Sequence, residues 1–486
     1  MSAPQEDEDW ERLLRLLDER EVVLSTRGER LEYLAPPGAM DAELLALVKG
    51  SRERLLADLT GSGAAEASAP AGIAQARMHR GHGRAADPSL WNITQRLTLR
   101  GPLDTGRLQQ ALTALTARHT SLRTRFTATG LGLLQQVLPA PGALALPVTE
   151  TSGDPHAVEA ATREEAATPF DLATPPLLRA RLLRQGPEHH TLLLTIHHIA
   201  LDGWSLATLL DDLGALYRDR HAPLPDPGSM TEHACWERTV VTRQAVREAT
   251  ARYAERLAGL PLTVHLPTDR PRPAQRSGRG AIAHFTLPPD LTAALHRCAA
   301  RRSTTPAAVL LAALGDLLND LTGAEESLVM LSTTNRRRRE HERVVGLLST
   351  NLPVRLANRD PGGFPALVDR AARALATTLD QADVPFGLVT EDLRELGLAL
   401  PPSFPQLMLV VQSTPATTLD LPGLDVRIED IEGNGARADL MLMLTPHEGA
   451  LAGLAEYDTD LFDEPTVRGW LDSLTARLAK ELPALG

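Results

Sequence analysis

Residues Thr195–Leu206 read TIHHIALDGWSL: two histidines, then an Asp-Gly pair, set where a dense apolar run gives out. The run Thr191–Ile196 predicts a buried strand, and Leu206, Leu209, Leu210, Leu213 and Leu216 predict a helix over 205–219, capped by Asp202 or Ser205. Successive strand side chains point to opposite faces, so His197 shares a face with Leu193 and Thr195, and His198 with Leu192, Leu194 and Ile196. The two rings cannot enter one site. One projects into the space beside the sheet and the other into the protein body, while Asp202 orients a ring or pairs with an arginine. Gly203 lets backbone approach closely at a helix N-terminus that favours developing negative charge. A histidine titrating near pH 6.5 can move protons at neutral pH, which points to acyl transfer. Two diverging histidines and Asp202 offer no third ligand, so no metal is expected.

Outward from this stretch, strands and helices interleave, the pattern of an α/β protein. Ile93–Leu99 alternates as a strand does and Arg107–Ala117 has helical spacing. The first sixty residues read as a separate small unit. Trp10, Leu13, Leu14, Leu16 and Leu17 form a helical stripe, Val22–Ser25 and Leu31–Leu34 form a hairpin turning at Gly28, and helices follow from Asp41 and Arg52. Residues 61–70, within TGSGAAEASAP, have linker composition, and Leu266–Gly280 reads as a second bridge. The expected organisation is a unit over 1–60, a linker over 61–70, and two lobes over 71–250 and 251–486.

At 486 residues and 43% hydrophobic content the chain can bury a large core. Its net charge of -12 excludes a phosphate-backbone binder, so no nucleic acid is expected. No run approaches the roughly 18 apolar residues of a membrane span, and the start, MSAPQEDEDW, is acidic where a secretion signal is basic. A cytoplasmic location away from membranes follows as the expectation. Cys235 and Cys298 stand alone and offer neither a disulfide framework nor a metal clip. The arginines of 336–339 are expected in a solvated loop.

HHIALDG matches HHxxxDG, and other segments extend the likeness in order. Arg118–Phe126, RHTSLRTRF, resembles RHExLRTxF; Leu266–Ala281, LPTDRPRPAQRSGRGA, looks like a bridge between lobes; Val345–Arg355, VGLLSTNLPVR, is similar to IGxFVNTLxLR; Asp383–Phe386 reads DVPF; and Glu456–Glu464, EYDTDLFDE, matches a closing strand. From about residue 71 to 486 the chain resembles the condensation domains of nonribosomal peptide synthetases, within the chloramphenicol-acetyltransferase-like superfamily. The likeness implies a pseudo-dimer of two acetyltransferase-like lobes with a central tunnel. It also implies amide formation, as an acceptor amine attacks an acyl thioester on a carrier protein in antibiotic-type secondary metabolism.

By that resemblance His198 is catalytic, and His197, Asp202 and Gly203 support its loop. Trp204, Ser349, Asn351 and Gln412 are implied as tunnel or substrate contacts. No bound cofactor is implied, because phosphopantetheine arrives on donor and acceptor carrier proteins; the domain is expected to be monomeric. Three segments depart from the pattern: His79, Arg80 and Gly81 follow the AQxRM of the first motif where an aromatic is usual, Thr120 replaces a glutamate, and Met230–Trp236 reads MTEHACW for YxDFAxW. They put the usual substrate contacts in question, not the catalytic loop. Heterocyclising and epimerising subtypes are disfavoured. The first sixty residues resemble TubC-type N-terminal docking domains, which implies an edge at Val22, Leu24, Leu31 and Tyr33 for the C-terminal peptide of an upstream synthase. The competing expectations are an ester-forming or coenzyme-A-dependent acyltransferase and a non-catalytic docking platform.

Overall fold

The computed structural model describes residues 3–61, 65–151, 153–412, 418–431, 433 and 435–484. Its contacts divide the chain into two units: Met1–Thr242 with Arg336–Leu348 and Thr417–Glu432, and Arg243–Asn335 with Ser349–Ala416 and Gly433–Gly486.

The first unit begins as the hydrophobic spacing predicts, with α1 (Ala3–Glu19), β1 (Val23–Arg27) and β2 (Arg30–Leu34). Gly28, in the left-handed region at φ 58°, makes the hairpin turn. Asp41 caps α2 (Ala42–Gly50) by accepting from Leu44 N at 2.9 Å, and α3 (Arg52–Thr60) follows. Trp10, Leu13, Leu17, Val22, Leu24, Leu44, Leu55 and Leu59 form one core, and Leu134 from far along the chain completes it.

That shared core corrects the expected separation. Residues 67–70 of the predicted linker form a strand, β3 (Ala67–Pro70), which pairs with β1 through Thr26–Ser68 and Arg27–Ala67. Ser62, Gly63 and Ala64 lie outside the described residues. After α4 (Ile73–Arg84), β4 (Asn92–Arg100), α5 (Thr105–Arg118), β5 (Thr124–Thr129) and β6 (Gly132–Val137), one antiparallel sheet runs β2-β1-β3-β6-β5. Gln136 Nε2 donates to Leu59 O at 2.6 Å, tying α3 to β6. Val22 and Leu24 are therefore core residues, and β1 is an interior strand. Of the predicted docking positions only those of β2 lie on the sheet's outer strand, with Leu31 half-buried and Tyr33 exposed.

The second sheet of this unit carries the histidines. It contains β4, β7 (Val148–Glu150), β8 (Leu178–Gly186), β9 (His189–His197) and β10 (Asp425–Ile431), in the order β10-β4-β9-β8-β7. Leu192, Leu194 and Ile196 of β9 pack with Leu108, Leu112 and Leu115 of α5 and with Leu206, Leu209 and Leu213 of α7 (Gly203–Arg218). On the opposite face Leu193 meets Val158 and Ala161 of α6 (Pro155–Ala167). Covered on both faces, the strand reads as nearly continuous apolar sequence. The unit's remaining long helix is α8 (Met230–Val240).

The second unit has its own six-stranded sheet. In spatial order it is Gly280–Leu287, Ala450–Asp458, Leu440–His447, Leu407–Val411, Glu326–Thr333 and Thr350–Ala357. Pro306–Thr322, buried from Ala308 to Gly315 and again at Leu317 and Leu318, packs in its core with Leu295, Val368 and Leu471 from three further helices. The predicted bridge over 266–280 belongs to this unit, where Arg272 pairs with Asp439 at 2.6 Å and Arg276 with Asp458 at 3.0 Å. The division by contacts falls at Thr242, and two later segments return to the first unit.

Candidate functional site

Strand β9 ends at His197, and His198 opens a single 3-10 turn, His198–Ala200. His198 is thus not the next strand residue, and the alternation argument ends one residue before it. The turn is pinned at both ends. Ile199 N donates to His197 Nδ1 at 3.0 Å, and Leu201 N donates to His198 O at 3.3 Å. His198 Nδ1 lies 2.7 Å from Leu201 O. A carbonyl only accepts, so Nδ1 carries the proton, and in the neutral ring Nε2 is the acceptor. His197 is fully buried and His198 half-buried.

Asp202 caps α7, and it does more than a cap needs. Its Oδ1 accepts from Ser205 N at 2.9 Å and Oδ2 from Leu348 N at 3.1 Å. Arg336 Nη1 donates to Oδ2 at 2.8 Å and Nη2 to Oδ1 at 2.9 Å, a forked pair with both side chains at most 2% exposed. Burial pushes the Asp202 carboxyl up, but the Arg336 charge and the hydrogen bonds from Arg336 and Ser205 outweigh it and hold the group below its usual range. Arg336 Nη2 also donates to Val344 O at 3.0 Å, and Ser205 Oγ accepts from Gly346 N at 3.1 Å. The turn at His198 and the segment Arg336–Leu348 are thereby one hydrogen-bonded piece.

Two sequence readings change here. Arg336 is not part of a solvated loop: it is the buried counter-ion of Asp202. The α7 N-terminus does not await a developing negative charge, because the Asp202 carboxylate already occupies it. Gly203 is the exposed first residue of α7. Trp204 Nε1 donates to Glu342 O at 2.8 Å, and its ring lies 5.8 Å below the Arg336 guanidinium. Ser349, Asn351 and Gln412 belong to the second unit. There Asn351 pairs with Ser332 across two strands, and Gln412 N donates to Leu444 O at 2.9 Å.

Helix α4, which carries the AQxRM segment, also supports the turn. Glu237 of α8 holds its N-terminus, accepting from Ile73 N at 2.8 Å, and Gln75 Nε2 reaches Ile199 O at 3.4 Å. Two turns further along the same face, His82 Nδ1 lies 3.1 Å from His197 Nε2.

Burial, then the nearby His82 and His198 charges, press His197 down to about 2. Burial first, then His341 and Arg336, press His233 down to about 3. Both rings stay neutral in the folded protein while the unfolded chain takes up protons below about pH 6.5. Stability is therefore fullest above pH 6.5 and falls as the pH drops from there toward the folded-state values. The slope is about 1.4 kcal/mol per pH unit for each ring, or roughly 2 kcal/mol each between pH 6.5 and 5. His233 stands where the matched motif has phenylalanine. His233→Phe is expected to lose about 2 kcal/mol less than the wild type over that interval in denaturant unfolding. Equal losses would mean that His233 is protonated in the folded protein.

Comparison with known proteins agrees with this architecture. The family described as "Condensation domain" matches residues 65–482. Phosphinothricin tripeptide synthetase PhsC of Streptomyces viridochromogenes is 33% identical over 405 residues, covering 80% of this chain and 36% of that protein. Chondramide synthase cmdD of Chondromyces crocatus is 32% identical over 387 residues, 78% of this chain and 10% of that protein. The chain thus spans about a third or less of the length of these relatives. Among solved structures, the X-domain from teicoplanin biosynthesis aligns with a TM-score of 0.74 at 24% identity, covering 86% of this chain and 95% of that one. The first condensation domain of the CDA synthetase aligns at 0.71 and 24%, covering 85% and 95%. With a family match running from β3 to the end of the last long helix, this chain belongs to the condensation-domain family, whose members form amide bonds in nonribosomal peptide biosynthesis.

Proposed function

We propose that this chain joins an acyl unit carried as a thioester on a donor carrier protein to the amine of an acceptor carried on a second one. The carbon–nitrogen bond forms, the carbon–sulfur bond breaks, and the amine's proton passes through His198 Nε2 to the departing pantetheine thiolate. The observation that carries the reading is the Nδ1–H of His198 held by Leu201 O, because it turns the acceptor nitrogen of the ring away from the turn's own backbone. His197, Asp202 and Arg336 act by keeping that turn in place. The reaction is downhill from a thioester, so no bound cofactor is assigned to the chain. Each unit has its own helix-covered sheet, which supports reading them as two acetyltransferase-like lobes.

The test is reconstitution with acyl-loaded donor carriers and with amine and alcohol acceptors, followed by intact-protein mass spectrometry. The expected product is the amide on the acceptor. Transfer to the alcohol alone would replace this reading with an ester-forming one, and transfer to neither would leave a docking platform.

The first sixty residues are assigned here as the dock for an upstream synthase's C-terminal peptide, added as a strand beside β2. Exposure of Tyr33 and Leu34 on that outer strand supports the assignment. Tyr33→Ala is expected to weaken binding of such a peptide about tenfold in calorimetric titration, with amide formation from free carriers within about twofold of wild type. Unchanged peptide affinity would remove β2 as the dock.

A further inference from the structure

We infer that His82 is a positioning residue for the catalytic turn: its Nδ1 accepts the Nε2–H of His197, and this bond holds the His197 ring in the orientation that anchors the turn. Proton positions follow from the partners. Ile199 N–H donates to His197 Nδ1, so that nitrogen carries no proton and the neutral ring's proton sits on Nε2. His82 Nδ1 is 3.1 Å from that Nε2 and is the acceptor, which places the His82 proton on its own Nε2. The two rings meet edge to face at 5.0 Å between centroids, and Phe170 closes another side of His197 at 6.1 Å.

With His197 fully buried, an Nε2–H deprived of His82 has no water to turn to. The unpaired donor loosens the hold on the ring, and with it the bond from Ile199 N–H to Nδ1 that anchors the turn beginning at His198. Gln75, on the same helix, grips the other side of Ile199 through its carbonyl. Helix α4 therefore holds the Ile199 carbonyl directly and its N–H through His197.

The acceptor exists only while His82 is neutral. The groups facing it are His79 on its own helix, Asp171 from the segment before β8, and His197 at the end of β9. Burial first, and then the His79 charge, disfavour protonation, against a smaller opposing pull from Asp171. His82 is accordingly held below its ordinary value and serves as an acceptor at neutral pH. Acidification gives it a second N–H aimed at the N–H of His197, and the anchor opens.

The kinetic arm of the test rests on the amide-forming reading above; the spectroscopic arm does not. Two-bond ¹⁵N–¹H spectra of the full chain with labelled histidine are expected to show His197 as the Nε2–H tautomer in the wild type. His82→Asn puts a non-titrating oxygen where Nδ1 stood and is expected to keep that tautomer, to stay within about threefold of wild-type kcat, and to shift the acid limb of kcat to lower pH. His82→Leu fills the space without an acceptor and is expected to move the His197 Nε2–H resonance away from its hydrogen-bonded position and to lose about tenfold or more in kcat, with KM within about twofold. A wild-type His197 protonated on Nδ1, or a His82→Leu protein with wild-type kcat and spectra, overturns the inference. If the wild type forms no amide, the amide reading fails and the spectra alone decide the place of His82.

Discussion

His198→Ala is expected to slow amide formation by about a hundredfold to ten-thousandfold, the range over which a positioned acid–base side chain contributes. The size of the effect follows from the turn. His198 does not hold the turn through its ring alone: the bonds from Ile199 N to His197 Nδ1 and from Leu201 N to His198 O remain after truncation, as do Asp202 and Arg336. The variant should therefore unfold within about 1 kcal/mol of wild type while losing turnover, since removing a half-buried side chain leaves the core intact. Single-turnover transfer from an acyl-loaded carrier, followed by intact-protein mass spectrometry, measures it. Wild-type rates in the variant would mean that His198 is not the base and that the HHxxxDG stretch serves the fold.

The second large effect is on stability. Asp202→Ala strands the Arg336 guanidinium, 2% exposed, without its carboxylate, and also removes acceptors from Ser205 N and Leu348 N. Removing one member of a buried pair costs about 3–5 kcal/mol, because the uncompensated charge is the expensive part. A chemical denaturation curve reads it directly. The control is the double variant Asp202→Leu with Arg336→Met, which removes both charges and should recover much of the loss. A double variant as unstable as Asp202→Ala would show that the cost lies in the lost cap and backbone bonds rather than in the stranded charge.

What the sequence could show was whatever a local pattern encodes. The stripe at Trp10, Leu13 and Leu17, the glycine turn at Gly28, the apolar strand ending at His197 and the Asp202 cap all report on neighbours within a few residues, and each folds as its spacing predicts. Arg336 did not show itself because its partner lies 134 residues away and three further arginines stand beside it, so composition pointed to solvent. Ala67–Pro70 carries no β-branched or aromatic side chain and reads as linker; it is a strand because β1 and β6 offer it backbone partners. His82 stands just past the departing stretch over 79–81, outside the quoted motifs, and only the fold brings it beside His197.

The strand β3 also bears on anyone who would splice this chain into another assembly line. Composition invites a cut near residue 61, in the small polar stretch after α3. Such a cut would strip β3 of the hairpin it pairs with and leave its N–H and C=O groups along a raw margin, while Leu134 would lose the aliphatic cover supplied by α1 to α3. Bare margins of this kind seed chain-to-chain pairing, so the graft would be prone to precipitate before its chemistry could be judged. A workable junction keeps the leading helices and hairpin with β3, as one cassette.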